Sequence, residues 1–197
     1  YIAVLFFVEG SSIYLFFVRQ FFAQNVASLR SYFGVFPFLF AFIIPALTMR
    51  SFAEERRTGT DELLYTLPVR EGELVLGKFL AALVLVLIMI LLTLPVPWTI
   101  VPLGNFDSGE ILGEYMGALL LAAAGIAFGI FVSSLSRHQI SAFIVGIAGL
   151  SAITFLRSIS RFMDLPEKVW GFLRYLSLQE HFDAFIRGVV DTRDVVF

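Results

Sequence analysis

Apolar residues run along this chain in long blocks rather than in an alternating or one-sided pattern. Five blocks approach the roughly 20 mostly apolar residues that a membrane-crossing helix needs. The first covers residues 1–22 and is interrupted by Glu9, Gly10, Ser11 and Ser12. The second covers about 32–49, where Pro37 and Pro45 each remove a backbone donor and predict a bend. The third, about 74–100, is the most apolar, with Pro95, Pro97 and Pro102 marking its far end. The fourth, about 111–135, is rich in Gly and Ala, and the fifth covers about 139–156. The predicted fold class is therefore an all-α polytopic membrane protein with about five transmembrane helices.

Two polar segments break this pattern. Residues 52–74 form the one dense polar stretch between spans, within the run SFAEERRTGTDELLYTLPVREGELVLGK from Ser51 to Lys78. Gly59 supplies a break, Thr60 suits an N-cap, and Asp61 and Glu62 then sit in a first helical turn, where acids complement the positive helix end. Leu63, Leu64 and Leu67 give this short helix an apolar face, and Pro68 ends it. Glu71 and Glu73 open the next helix in the same way. The alternative is an ordinary solvated loop, since caps and charges also serve plain helix termination. Residues 157–192 carry apolar positions at helical spacing (Phe172, Leu173, Leu176, then Phe182, Phe185, Ile186) with charges between them, the pattern of amphipathic helices at a membrane surface.

Lys and Arg distribution orients the chain. Arg50, Arg56, Arg57, Arg70 and Lys78 flank or fill the loop after the second span, and Arg137 lies in the turn after the fourth, whereas Asp107, Glu110 and Glu114 follow the third with no basic residue. The second and fourth loops are expected in the cytoplasm and the third outside, together with the segment 157–192. Because Tyr1 opens directly into an apolar run and residues 191–197 turn into a new one, the expectation is one transmembrane domain over 1–197, cut at both ends.

Composition narrows the classes further. The chain of 197 residues is 58% hydrophobic and only 15% charged, with a mean hydropathy of +0.87, whereas soluble domains carry about 25% charged residues. A net charge of −2 excludes a nucleic-acid binder built on phosphate contacts. No Cys is present, which excludes disulfide frameworks, thiolate metal sites and Cys nucleophiles.

The run E-E-R-R-x-G-T-x-E-L-L-x-T-x-P-V over 54–69, followed by GKFLA at 77–81, resembles the permease subunits of ABC-2 type transporters, and within them the permeases associated with gliding motility. IPALTMRSFAEE before the loop, SSLSRHQISAF between spans four and five, and LSLQEHFDAFIRGVVDTRDVV near the end carry the resemblance across the chain. It implies a six-span permease of the bacterial cytoplasmic (inner) membrane that forms a homodimer and exports its substrate. It also implies a separate ATP-binding subunit at the cytoplasmic face, which would hold ATP and Mg, and a coupling helix docked into that subunit. Carried onto this sequence, the coupling element comprises Glu54, Glu55, Gly59, Thr60, Glu62, Leu63, Leu64 and Pro68, with Gly77 and Lys78 at the start of the span it moves.

The chain itself lacks the phosphate loop G-x-x-x-x-G-K-[ST], because Gly77-Lys78 runs straight into Phe79. No cofactor, metal or catalytic residue of its own is expected. Gly113, Gly117, Gly125 and Gly129 are spaced to let helices approach closely, with packing inside one subunit favoured over homodimerisation. Glu9, within the first apolar run, is either a functional group at membrane depth or an interfacial one. His138 and His181 each stand alone in sequence, which suits polar contacts better than a metal site. Glu110 and Glu114 are read as acids at a water-facing helix start. Trp98 and Trp170 fit interfacial anchors. Two rival classes are a membrane anchor that recruits an ATPase without transporting, and an intramembrane hydrolase using Glu9 or a Ser. The hydrolase lacks a Ser/His or Asp/Asp pair in any span.

Overall fold

A computed structural model of the chain describes residues 29–60, 70–100, 108–156, 177–179 and 182. These residues contain seven helices and no strand: α1 (Arg30–Phe33), α2 (Phe36–Thr48), α3 (Ala53–Thr58), α4 (Glu71–Leu92), α5 (Pro95–Ile100), α6 (Ser108–Leu135) and α7 (Gln139–Thr154). The stretch from α2 through α3, α4 and α6 are long and apolar enough to cross a membrane, and α7 is a shorter apolar helix of 16 residues. The protein is an all-α polytopic membrane protein. The first predicted span, with Glu9, and the amphipathic segment with His181 and Trp170 lie outside the described residues, apart from Ser177, Leu178, Gln179 and Phe182.

Prolines decide where helices stop. The predicted second span is interrupted at Gly34 and Val35 before α2 begins, because Pro37 has no N–H with which to continue the ladder from Phe33. The predicted third span, drawn through residue 100, ends at Leu92. Pro95 and Pro97 again donate nothing, so the chain restarts as α5 with Pro95 at its first position. At that break the Thr93 hydroxyl donates to the Ile90 carbonyl at 2.6 Å, which satisfies a polar group that apolar surroundings would otherwise strand. The fourth span starts at Ser108, three residues ahead of its predicted edge.

The spans do not bury equally. Helix α6 touches α2, α4 and α7, while α4 packs along α6 and leaves most of its other sides open. Half of the most apolar window of α6 is buried inside the chain, against 22% for α4. The exposed side of α4, including Leu76, Leu80, Val84 and Ile88, is the kind of surface that lipid covers. Trp98, beyond the end of α4, is 81% exposed.

Glycine notches seat α2 against its neighbours. A Cβ on Gly125 of α6 would lie 2.8 Å from Ile44 Cδ1, and one on Gly129 would overlap the Thr48 hydroxyl. Across the groove, a Cβ on Gly146 of α7 would lie 3.0 Å from Pro45. Ile44, Pro45 and Thr48 thus sit in pits that only glycine provides, the close approach that membrane helices use in place of a hydrophobic drive. Gly113 and Gly117 are buried further along α6.

Candidate functional site

The end of the bundle where α2 stops and α4 starts brings together Glu54, Glu55, Gly59, Thr60, Gly77 and Lys78 of the residues singled out in the sequence. The turn after α2 leads into α3, a six-residue helix within the polar segment 52–74. Its N-cap, Phe52, has no side chain able to accept a hydrogen bond. The cap comes from α6 instead. Ser133 Oγ accepts from the backbone N–H of Phe52 at 3.1 Å and of Ala53 at 3.3 Å, and donates to the Met49 carbonyl at 3.3 Å. One buried hydroxyl from another span therefore satisfies two of the orphan donors that every helix start leaves.

Charge and turn geometry complete α3. Glu54 and Glu55 occupy its first turn and Arg56 and Arg57 its last, both matched to the helix dipole. Gly59 closes the helix at φ 70°, a left-handed conformation that glycine takes without Cβ strain. The Thr60 N–H donates to the Glu55 carbonyl at 3.0 Å, and the Thr58 hydroxyl donates back to Glu54 and Glu55 carbonyls at 3.0 and 3.2 Å. Thr60 thus seals the end of α3. The helix over 61–67 for which it is the predicted N-cap, with Glu62, Leu63, Leu64 and Pro68, lies outside the described residues.

A second tie crosses from α4. The Lys78 ammonium donates to the Ser51 carbonyl and to Glu55 Oε2, and stands 3.8 Å from the centroid of the Phe52 ring. Its side chain is 16% exposed and that of Glu55 27%, so the pair is shielded far more than a surface ion pair. Gly77, its neighbour, faces open space. Helix α4 itself begins at Glu71, with Glu73 Oε2 accepting from the Arg70 N–H at 3.4 Å, a capping interaction. Around this junction Arg50, Arg56, Arg57, Arg70 and Arg137 are exposed, as is His138 at the start of α7.

The opposite end differs from its sequence pattern. Glu110 and Glu114, read together as solvated acids, separate in the structure. Glu110 pairs with Arg30 at 2.5 Å, whereas Glu114 is fully buried and neither of its carboxyl oxygens has a hydrogen-bond partner. The water-facing reading of Glu114 is therefore wrong. Its side chain enters the protein because α1 and the aromatic cluster of Tyr32, Phe33, Phe36 and Tyr115 cover the first turns of α6. Gly113 and Gly117 on either side of it were the sequence signal that another segment comes close.

Taken together, the polar contacts of the described residues join elements that are far apart in sequence. They fix a short charged helix to the ends of three spans, and no group of three His, Asp or Glu residues among the described residues is placed to hold a metal ion. A family model described as ABC-2 family transporter protein matches residues 4–194. The chain belongs to the ABC-2 transporter family. No curated protein and no solved structure matches the chain significantly. An ABC-2 permease is the membrane subunit of an ABC transporter, and members of the family work with an ATP-binding subunit. In this one, of the loop residues that carry the resemblance, Glu54 and Glu55 lie in the helix that Ser133 and Lys78 hold in place, and Gly59 and Thr60 close its end. Ser133 lies in the SSLSRHQISAF segment. Its partner is 81 residues away in sequence, beyond the reach of any local pattern.

Proposed function

We propose that this ABC-2 permease is the membrane half of an exporter, driven by a separate ATP-binding subunit that docks on the polar end of the bundle. The observation that carries the reading is the anchorage of α3. Side chains from α6 and α4 fix a charged, outward-lying helix that its own sequence does not cap. The exposed arginines around it support, by the positive-inside rule, a cytoplasmic position for this end, where ATP is available. In this scheme nucleotide-driven closure of the partner pushes on residues 52–74, and the spans rock to open a path outward. Two permease chains and two ATPases in a bacterial inner membrane form the working unit. The association with gliding motility rests on the loop sequence over 54–69 and on the LSLQEHFDAFIRGVVDTRDVV segment.

The test is recovery of the tagged, full-length permease from its native membrane in mild detergent, with mass spectrometry of what accompanies it. A stoichiometric P-loop ATPase is expected, and its loss in Leu63→Asp and Gly59→Pro variants that still insert. An ATPase that stays at wild-type yield in both variants contradicts the docking assignment.

A further inference from the structure

We propose that Lys78 is the strut through which displacement of α3 reaches α4, making it a positioning residue for coupling rather than a contact for the partner. The inference rests on the coupling reading above and adds the route inside the permease.

Three observations carry it. First, α2, α6 and α7 interlock through glycine notches, so they move as one block or not at all. Helix α4 stands outside that block. It packs along α6 and meets α2 more lightly, where Met89 clusters with Ile43, Leu39 and Leu47. Tilting α4 therefore breaks fewer contacts than moving any other described span. Second, among the described residues Lys78 supplies the polar tie between segment 49–60 and α4. Third, the ammonium is engaged in three directions at once: a backbone carbonyl, a carboxylate and an aromatic face. A compact ammonium with three donors suits that arrangement, whereas a planar guanidinium does not. Ser133 ties the same turn to α6, so a push on α3 has α6 as its fulcrum and α4 as its lever arm.

Because the chain has no Cys, Leu76→Cys on α4 and Leu135→Cys on α6 place spin labels at two exposed sites near the same end of the bundle. The full-length labelled permease, diluted with unlabelled chains and assembled with its ATPase in nanodiscs, is measured by pulsed electron–electron resonance before and after trapping with ATP and vanadate. Wild type is expected to show a new distance on trapping. Lys78→Met and Lys78→Arg are expected to keep the ATPase at wild-type yield while the population at the new distance falls at least about fivefold, the size of a modest coupling energy. A Lys78→Met variant that shifts like wild type overturns the strut. Where Lys78→Met lowers folded yield, Lys78→Arg decides: a reduced shift with the ATPase still at wild-type yield supports the strut, and a full shift overturns it. Wild-type permease that recruits no ATPase overturns the coupling reading itself, an outcome distinct from an uncoupled complex.

Discussion

Both ends of the helix bundle hold bonded hydroxyls, Thr93 among them at the far end, but among the described residues the far end alone buries a carboxyl group without a partner. At the α3 end, the Ser133 hydroxyl, the Thr48 hydroxyl and the Lys78 ammonium each have hydrogen-bond partners, and those bonds cross between elements or close a helix end. At the other end, Glu114 is buried with both oxygens unpartnered, one turn from an Arg30–Glu110 pair whose arginine is half exposed. The first arrangement contributes stability and a defined position for α3. The second costs stability, since a carboxyl group without hydrogen bonds in a dry site is disfavoured by several kcal/mol on the scale of unpaired buried polar groups, about 2–7.

The comparison breaks most severely at the glycine notch beside Thr48. Gly129→Val puts three carbons where the Thr48 hydroxyl already sits, and overpacking of about 3 kcal/mol or more is expected. Folded yield and unfolding in detergent read it, with Gly77→Val, which faces open space, close to neutral. Next in size, Ser133→Ala strands two backbone donors and is expected to destabilise by about 1–3 kcal/mol in the same assay. Glu114→Leu sharpens the contrast by moving the other way. Removing a buried, unpartnered carboxyl is expected to stabilise by about 1–3 kcal/mol, and a loss of stability would show that the carboxyl has a stabilising partner. The smallest effect is at the exposed pair. Arg30→Gln should cost under about 1 kcal/mol, and less still in high salt.

Much of the bundle was legible in the sequence because a membrane helix writes itself as a long apolar block. The cores of α2, α4, α6 and α7 fall where the blocks predict; two misplaced edges sit at Pro37 and Pro95, where a missing N–H overrides continued hydrophobicity, and α4 and α6 each start three residues early, in polar sequence. The glycines at 125 and 129 also announced close packing, and they meet α2. What stayed illegible was pairing over distance. Lys78 and Glu55 both stood out in the loop sequence, yet nothing local joins residues 23 apart, and Ser133 looked like any serine at the end of a span. Glu114 misled because acids four residues apart at a helix start have a sufficient local explanation in the dipole. Among the described residues, Leu29, Tyr32 and Phe33 join the buried cluster at the first turns of α6, which no local pattern announces.

The central claim is that the ATPase sits at the α3 end. A photo-reactive amino acid at Arg57, with a matched one at exposed Leu112 near the opposite end of α6, tests it directly in intact membranes. A cross-link to a P-loop ATPase from position 57 and none from position 112 is the predicted result. No cross-link from 57, or equal cross-linking from both positions, would contradict it.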